Sequence, residues 1–86
     1  MTKETHEGLI VLVHDLFESQ GLKVQDHIEY KRGEMDLLCN DIYYEVKSNN
    51  TPKSEAKARE QIERAMKYGQ CVGGFLVTYD GVVKIK

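Results

Sequence analysis

The chain has 86 residues, of which 41% are hydrophobic and 30% charged, with a formal net charge of −2, one proline and two cysteines. That composition describes one small domain over residues 1–86 and excludes a disordered chain. It also excludes bulk electrostatic attraction as the way to a polyanion. A chain of this length buries only about 60–65% of its unfolded surface, so its core is thin and a partner subunit helps.

The net charge hides an asymmetry. Residues 1–46 carry four Lys/Arg against ten Asp/Glu, and residues 47–86 carry eight against four. An acidic half beside a basic half is compatible with phosphate chemistry. The first seven residues are too polar for a signal peptide, and the apolar run Leu9 to Val13 is too short to span a membrane. A cytoplasmic protein with no membrane partner is expected, with Cys39 and Cys71 as reduced thiols.

Residues 4–20 read as a helix, with Thr5 as N-cap, Gly21 as the stop, and Leu9, Leu12, Val13, Leu16 and Phe17 as its apolar stripe. Glu7, Ile10, Val11 and His14 form a second face beside it. Glu7 in the first turn either complements the helix dipole or ligates a metal. Residues 22–30 alternate as a strand, with Leu22, Val24, Asp26, Ile28 and Tyr30 on one side. Lys31-Arg32-Gly33 is the following turn, its basic pair either solvated or in contact with a phosphate.

Glu34 to Lys47 reads as two short strands joined at Asn40-Asp41. If those two residues are a tight turn, Cys39 faces Ile42, Leu38 faces Tyr43, Leu37 faces Tyr44, Asp36 faces Glu45, and Glu34 faces Lys47. Alternation then places Glu34, Asp36, Glu45 and Lys47 on one face. Carboxylates directly opposite each other repel. A divalent cation or Lys47 between them removes that penalty.

Thr51-Pro52 opens a second helix, which runs to about Tyr68 and closes at Gly69. Ala58, Ile62, Ala65 and Met66 make a narrow apolar stripe, flanked by Gln61 and Tyr68. Lys53, Lys57, Arg59, Arg64 and Lys67 alternate with Glu55, Glu60 and Glu63, which suits either a solvated face or a DNA-facing one. Residues 75–79 and 82–86 flank Asp80-Gly81, a type I′ turn signal, and Gly73-Gly74 before them permits a bend or a close backbone approach. The expected fold is therefore α/β: a small mixed sheet flanked by two helices in the order α-β-β-β-α-β-β.

Glu45-Val46-Lys47 puts an acid and a lysine on one side of a strand, with the Val46 carbonyl between them and Asp36 across the hairpin. Two carboxylates and a carbonyl are a suitable oxygen set for Mg2+ or Mn2+. Such an ion acidifies a bound water and polarises a phosphoryl oxygen. Lys47 then orients the water or stabilises charge on the phosphate.

Asp36 followed by Glu45-Val46-Lys47, after a helix and a strand and before a second helix, resembles the PD-(D/E)XK nuclease superfamily. Within it the arrangement is most similar to archaeal-type Holliday junction resolvases. The resemblance implies a restriction-endonuclease-like core and a Mg2+-dependent endonuclease cutting branched DNA as a homodimer, in recombination or repair. It implies catalytic roles for Asp36, Glu45 and Lys47, with Glu7 from the first helix and Gln61 from the second assisting. Asp36, Glu45, the Val46 carbonyl and Glu7 would hold the metal, and Lys31, Arg32, Lys53, Lys57 and Arg64 would contact DNA. Met35 stands where the family's name has proline, and Glu34 is an extra carboxylate that either supports a ligand or pairs with Lys47. A nickase, a flap or single-strand nuclease, and a non-cleaving module that binds DNA or a protein are the competing functions.

Overall fold

The computed structural model describes residues 3–86, with side chains from His6 onward. The elements are α1 (Lys3–Ser19), β1 (Val24–Tyr30), β2 (Gly33–Cys39), β3 (Ile42–Val46), α2 (Pro52–Lys67), β4 (Gly73–Thr78) and β5 (Gly81–Lys84). The five strands form one mixed sheet, as expected, and their order in it is β1-β2-β3-β4-β5. Only β3 and β4 are parallel, and α2 supplies the long crossover that a parallel pair needs.

The helices cover opposite faces. On one, Leu9, Ile10 and Val13 of α1 pack with Val24, Leu37, Cys39, Val46 and Val77. On the other, Ala58, Ile62 and Ala65 of α2 pack with Met35, Tyr43, Cys71, Leu76 and Ile85. Small residues let α2 lie close to the sheet. A Cβ added at Gly74 would stand 2.7 Å from Cγ2 of Ile62, which explains the glycine there. Thr51 caps α2 as expected, its Oγ1 accepting from the Ser54 N–H at 3.1 Å. Cys39 and Cys71 are buried free thiols in the two separate cores.

The Asn40-Asp41 turn also forms as expected. Both residues take positive φ (53° and 65°), the backbone of a type I′ turn, and Cys39, Leu38 and Leu37 pair with Ile42, Tyr43 and Tyr44.

Three details depart from the sequence pattern. α1 buries Ile10 beside Leu9 and Val13, whereas Leu12 and Leu16 are exposed. The helix is rolled so that the row His6, Ile10, Val13, Phe17 meets the sheet, with Leu9 beside it. It begins at Lys3, so Thr5 is inside it, and the capping hydroxyl expected there lies outside the described side chains. In the last hairpin Thr78 pairs with Gly81, so the two loop residues are Tyr79 and Asp80 rather than Asp80 and Gly81. Neither takes positive φ, so the turn is not type I′; the Thr78 hydroxyl accepts from the Asp80 N–H at 3.0 Å and holds it.

The third departure bears on the site. Val24 packs in the α1-side core, but Ile28 and Tyr30 pack on the α2 side. β1 therefore reverses its faces midway, at His27, which takes φ +50°. The pairing runs Asp26–Leu37 and then Ile28–Met35, with no His27–Asp36 pair between them. β2 reverses with it: Leu37 is buried under α1 and Met35 under α2.

Candidate active site

The face reversal changes how the four polar residues of the first hairpin are presented. Glu34, Asp36, Glu45 and Lys47 were expected on one face; they divide instead. Glu34 turns to α1, where His27 stands between two carboxylates: Nδ1 lies 3.1 Å from Glu34 Oε2 and Nε2 lies 3.2 Å from Glu7 Oε2. The Glu34 bond is the largest cause that raises the His27 pKa above its ordinary value. Glu7 thus reaches the sheet but meets His27, and Glu34 does not pair with Lys47.

Asp36 occupies the gap where the strand ladders part. The β2–β3 register ends at Leu37–Tyr44. Beyond it, Asp36 Oδ2 accepts the Val46 N–H at 2.9 Å, so a side chain does the work of a backbone carbonyl. The expected backbone pair of Asp36 with Glu45 is replaced by this bond. It fixes the carboxylate against the residue whose carbonyl was expected to hold a metal.

Glu45 is 3% exposed, unusual for an acid, and both its oxygens have donors. The buried Tyr43 hydroxyl donates to Oε1. Lys47 Nζ lies 3.0 Å from Oε2. The Gln61 amide faces two acceptors, so its nitrogen is placed toward them: it donates to Glu45 Oε2 at 2.7 Å and to the Lys57 carbonyl at 3.2 Å. Burial pushes the Glu45 carboxyl above the ordinary carboxylate range, and the nearby Asp36 charge adds to this; Tyr43 and Lys47 only partly offset it. Burial likewise pushes the Tyr43 phenol far up, with the Glu45 charge adding to it, which keeps it a donor.

His6 was missed from the sequence. Its Nε2 lies 2.9 Å from the Val46 carbonyl and 3.5 Å from Asp36 Oδ2, on the donors expected for a cation. The bond to the carbonyl requires a proton on Nε2. The signal was present, since His6 heads the row of Ile10, Val13 and Phe17 that α1 turns to the sheet. Tyr43 was also legible, two residues before Glu45 on the same strand face.

The donors therefore form two groups. His6 Nε2, Asp36 Oδ2 and the Val46 carbonyl converge at the start of α1, whereas Glu45, Lys47, Gln61 and Tyr43 form a hydrogen-bonded set beside α2. Asp36 and Glu45 sense each other's charge, but among the described residues His6, Asp36 and Glu45 do not all bring ligand atoms within 4.8 Å of one another. Two oxygens and an imidazole suit a divalent cation in which a nitrogen ligand is tolerated. His14, Asp15 and Glu18 also meet on α1, at contacts of 3.5–3.8 Å. The two acids there are exposed, and the arrangement is ordinary same-helix pairing.

The basic residues fall along α2. Lys47, Lys57, Glu60, Gln61 and Arg64 line one groove. Arg32, Glu60, Arg64, Lys67 and Tyr68 line the next. Lys53 is exposed one turn before Lys57, and Lys31 is exposed in the β1–β2 turn outside both grooves. Within the described residues no helix is long and apolar enough to cross a membrane. Comparison of the chain with protein-family models, with curated proteins and with solved structures finds no match in any of the three.

Proposed function

We propose that the chain is a metal-dependent endodeoxyribonuclease of the cytoplasm that hydrolyses phosphodiester bonds in branched DNA, acting as a homodimer. The observation that carries this reading is the Lys47–Glu45–Gln61 set, anchored on the buried Glu45 and opening onto a basic groove. Lys47 and Gln61 meet on Glu45, and Asp36 stands close enough for its charge to be felt there.

Asp36 and the Val46 carbonyl would hold Mg2+ or Mn2+, with His6 as an added ligand in the tautomer that carries its proton on Nδ1 and Glu45, from the neighbouring group, as the second carboxylate. Such an ion supplies charge neutralisation at the phosphate and a more acidic bound water. The chain's own residues do the rest. Hydrolysis forms a bond from water oxygen to phosphorus and breaks the bond to the leaving sugar oxygen. A proton leaves the water, and one is taken up by the leaving oxygen. Lys47, fixed by Glu45 at 3.0 Å, presents a cation to the charge that develops on the phosphate. Gln61 and Tyr43 hold Glu45 still so that it in turn fixes Lys47.

A second reading, a module that binds DNA without cutting it, is favoured by a specific observation: both Glu45 oxygens have protein donors, and His6 contacts Val46 and Asp36. Incubation with a labelled four-way junction, a flap and a linear duplex in Mg2+ or Mn2+ separates the readings. Paired symmetric cuts confined to the junction support the resolvase form. Cutting of the flap alone supports a flap nuclease, and binding without any cut supports the module.

A further inference from the structure

The two grooves beside α2 share Glu60 and Arg64 and so form one track. It begins at Lys47 and ends at Tyr68. Lys57, Gln61, Arg64 and Tyr68 follow one another at three- and four-residue steps, hence on one side of the helix. From Lys57 to Tyr68 the helix rises about 17 Å. The one acid on the track, Glu60, is neutralised by Arg64 at 3.2 Å.

The far end differs in kind from the near end. Tyr68 is 40% exposed, a large ring left in solvent. The Arg32 guanidinium stands over it, 5.6 Å from the ring centroid, and the Tyr30 ring stands 6.5 Å away at a tilt of 44°. The open groove that Tyr68 and Arg32 border measures about 510 Å³. Cations alone would serve a duplex backbone. An aromatic ring with a planar guanidinium over it is the equipment for an unpaired base.

We propose that this track binds a single-stranded nucleic acid segment, with Lys57, Arg64 and Lys67 on its phosphates and one unpaired base stacked at Tyr68 and Arg32. A strand so held leads back to Lys47, so the scissile phosphate lies within a few nucleotides of an unpaired base. The inference rests on the nuclease reading for what happens at Lys47, but not for the binding itself.

Binding is therefore measured in EDTA, by fluorescence anisotropy. The probes are a single-stranded DNA oligomer, the same backbone with abasic sites replacing its bases, an RNA of the same sequence, and the blunt duplex. The wild type binds the single strands more tightly than the abasic backbone or the duplex. Tyr68→Ala weakens single-strand binding by about 5- to 100-fold and leaves the abasic backbone unchanged. Tyr68→Trp restores it. Lys57→Ala and Arg64→Ala weaken all probes and each lower the salt slope for single strands by about 0.7. Loss for DNA, for RNA or for both supports the stacking site and identifies the sugar it accepts. If the abasic backbone binds as tightly as the base-bearing oligomer, or if Tyr68→Ala acts equally on every probe, the inference is overturned. Junction cutting with a silent Tyr68→Ala variant overturns this inference alone; absence of binding in EDTA together with absence of junction cutting and binding in Mn2+ overturns both readings.

Discussion

Tyr43→Phe removes one oxygen from the centre of the site and leaves the ring that fills the α2-side core. Tyr43 is 1% exposed, and its hydroxyl donates to Oε1 of Glu45, itself 3% exposed. Among the described residues, its other hydrogen bond through that oxygen is a long one, 3.4 Å to the Glu34 carbonyl. A hydrogen bond to a charged group contributes about 1.5–3 kcal/mol, and a buried carboxylate oxygen left bare cannot recover it from water. The loss is expected in full only where Glu45 is ionised. Because burial already holds the Glu45 pKa above its ordinary 4.5, the folded protein binds a proton that the unfolded chain releases. The Glu45 contribution to stability is therefore greatest below the unfolded value and falls as pH rises through the folded one. Tyr43→Phe moves the folded value further up and deepens that fall. Urea unfolding at pH 5 and at pH 8 measures it: about 1.5–3 kcal/mol is lost at pH 8, and less at pH 5. For a domain of this size each kcal/mol corresponds to about 4–8 °C in Tm. An equal loss at both pH values would mean that the hydroxyl acts without reference to the Glu45 charge.

Other perturbations test other joints of the structure. Gly74→Ala drives a methyl into Ile62 and is expected to cost about 1–3 kcal/mol. It also lifts Gln61, the neighbour of Ile62, away from Glu45, so a lower denaturant midpoint should accompany slower cleavage. An unchanged midpoint would mean that α2 is not seated this closely. His27 is held above its ordinary 6.5 chiefly by Glu34. Its contribution is present below pH 6.5 and lost as pH rises through the folded value. His27→Gln should therefore lower Tm slightly at pH 5.5 and not at pH 9; a pH-independent difference contradicts the assignment. His6 adds a nitrogen to an oxygen donor set, so Mn2+ should bind more tightly than Mg2+, and His6→Ala should narrow that preference in a calorimetric titration. A preference unchanged by the substitution removes His6 from the metal site.

Much of the architecture was legible because its signals are local. Asn40-Asp41 between two apolar arms specifies the type I′ turn, and with it the partners of Leu37, Leu38 and Cys39. Thr51-Pro52 specifies where α2 begins, and Glu45-Val46-Lys47 places an acid and a lysine together. What escaped depends on tertiary contacts. No residue pattern marks His27 for positive φ, although histidine enters that region more readily than most residues. That one conformation reverses β1 and β2 and sends Glu34 to the α1 side, away from Lys47. The roll of α1 was hidden because Leu12 and Leu16 fit the apolar spacing as well as Ile10 does. Packing of Ile10 against the sheet decided it, and the same roll brought His6 to Asp36. At the last hairpin, Asp80-Gly81 is a strong turn signal, but the Thr78 hydroxyl captures the turn one residue earlier.

The most direct test of the account is cleavage of a labelled four-way junction by the wild type and by Asp36→Asn, each with Mn2+ and with EDTA. The substitution retains the shape that accepts the Val46 N–H but removes the charge that would hold the ion. The wild type should cut in Mn2+ only, and Asp36→Asn should bind without cutting. Cutting in EDTA, or undiminished cutting by Asp36→Asn, would contradict metal-dependent cleavage.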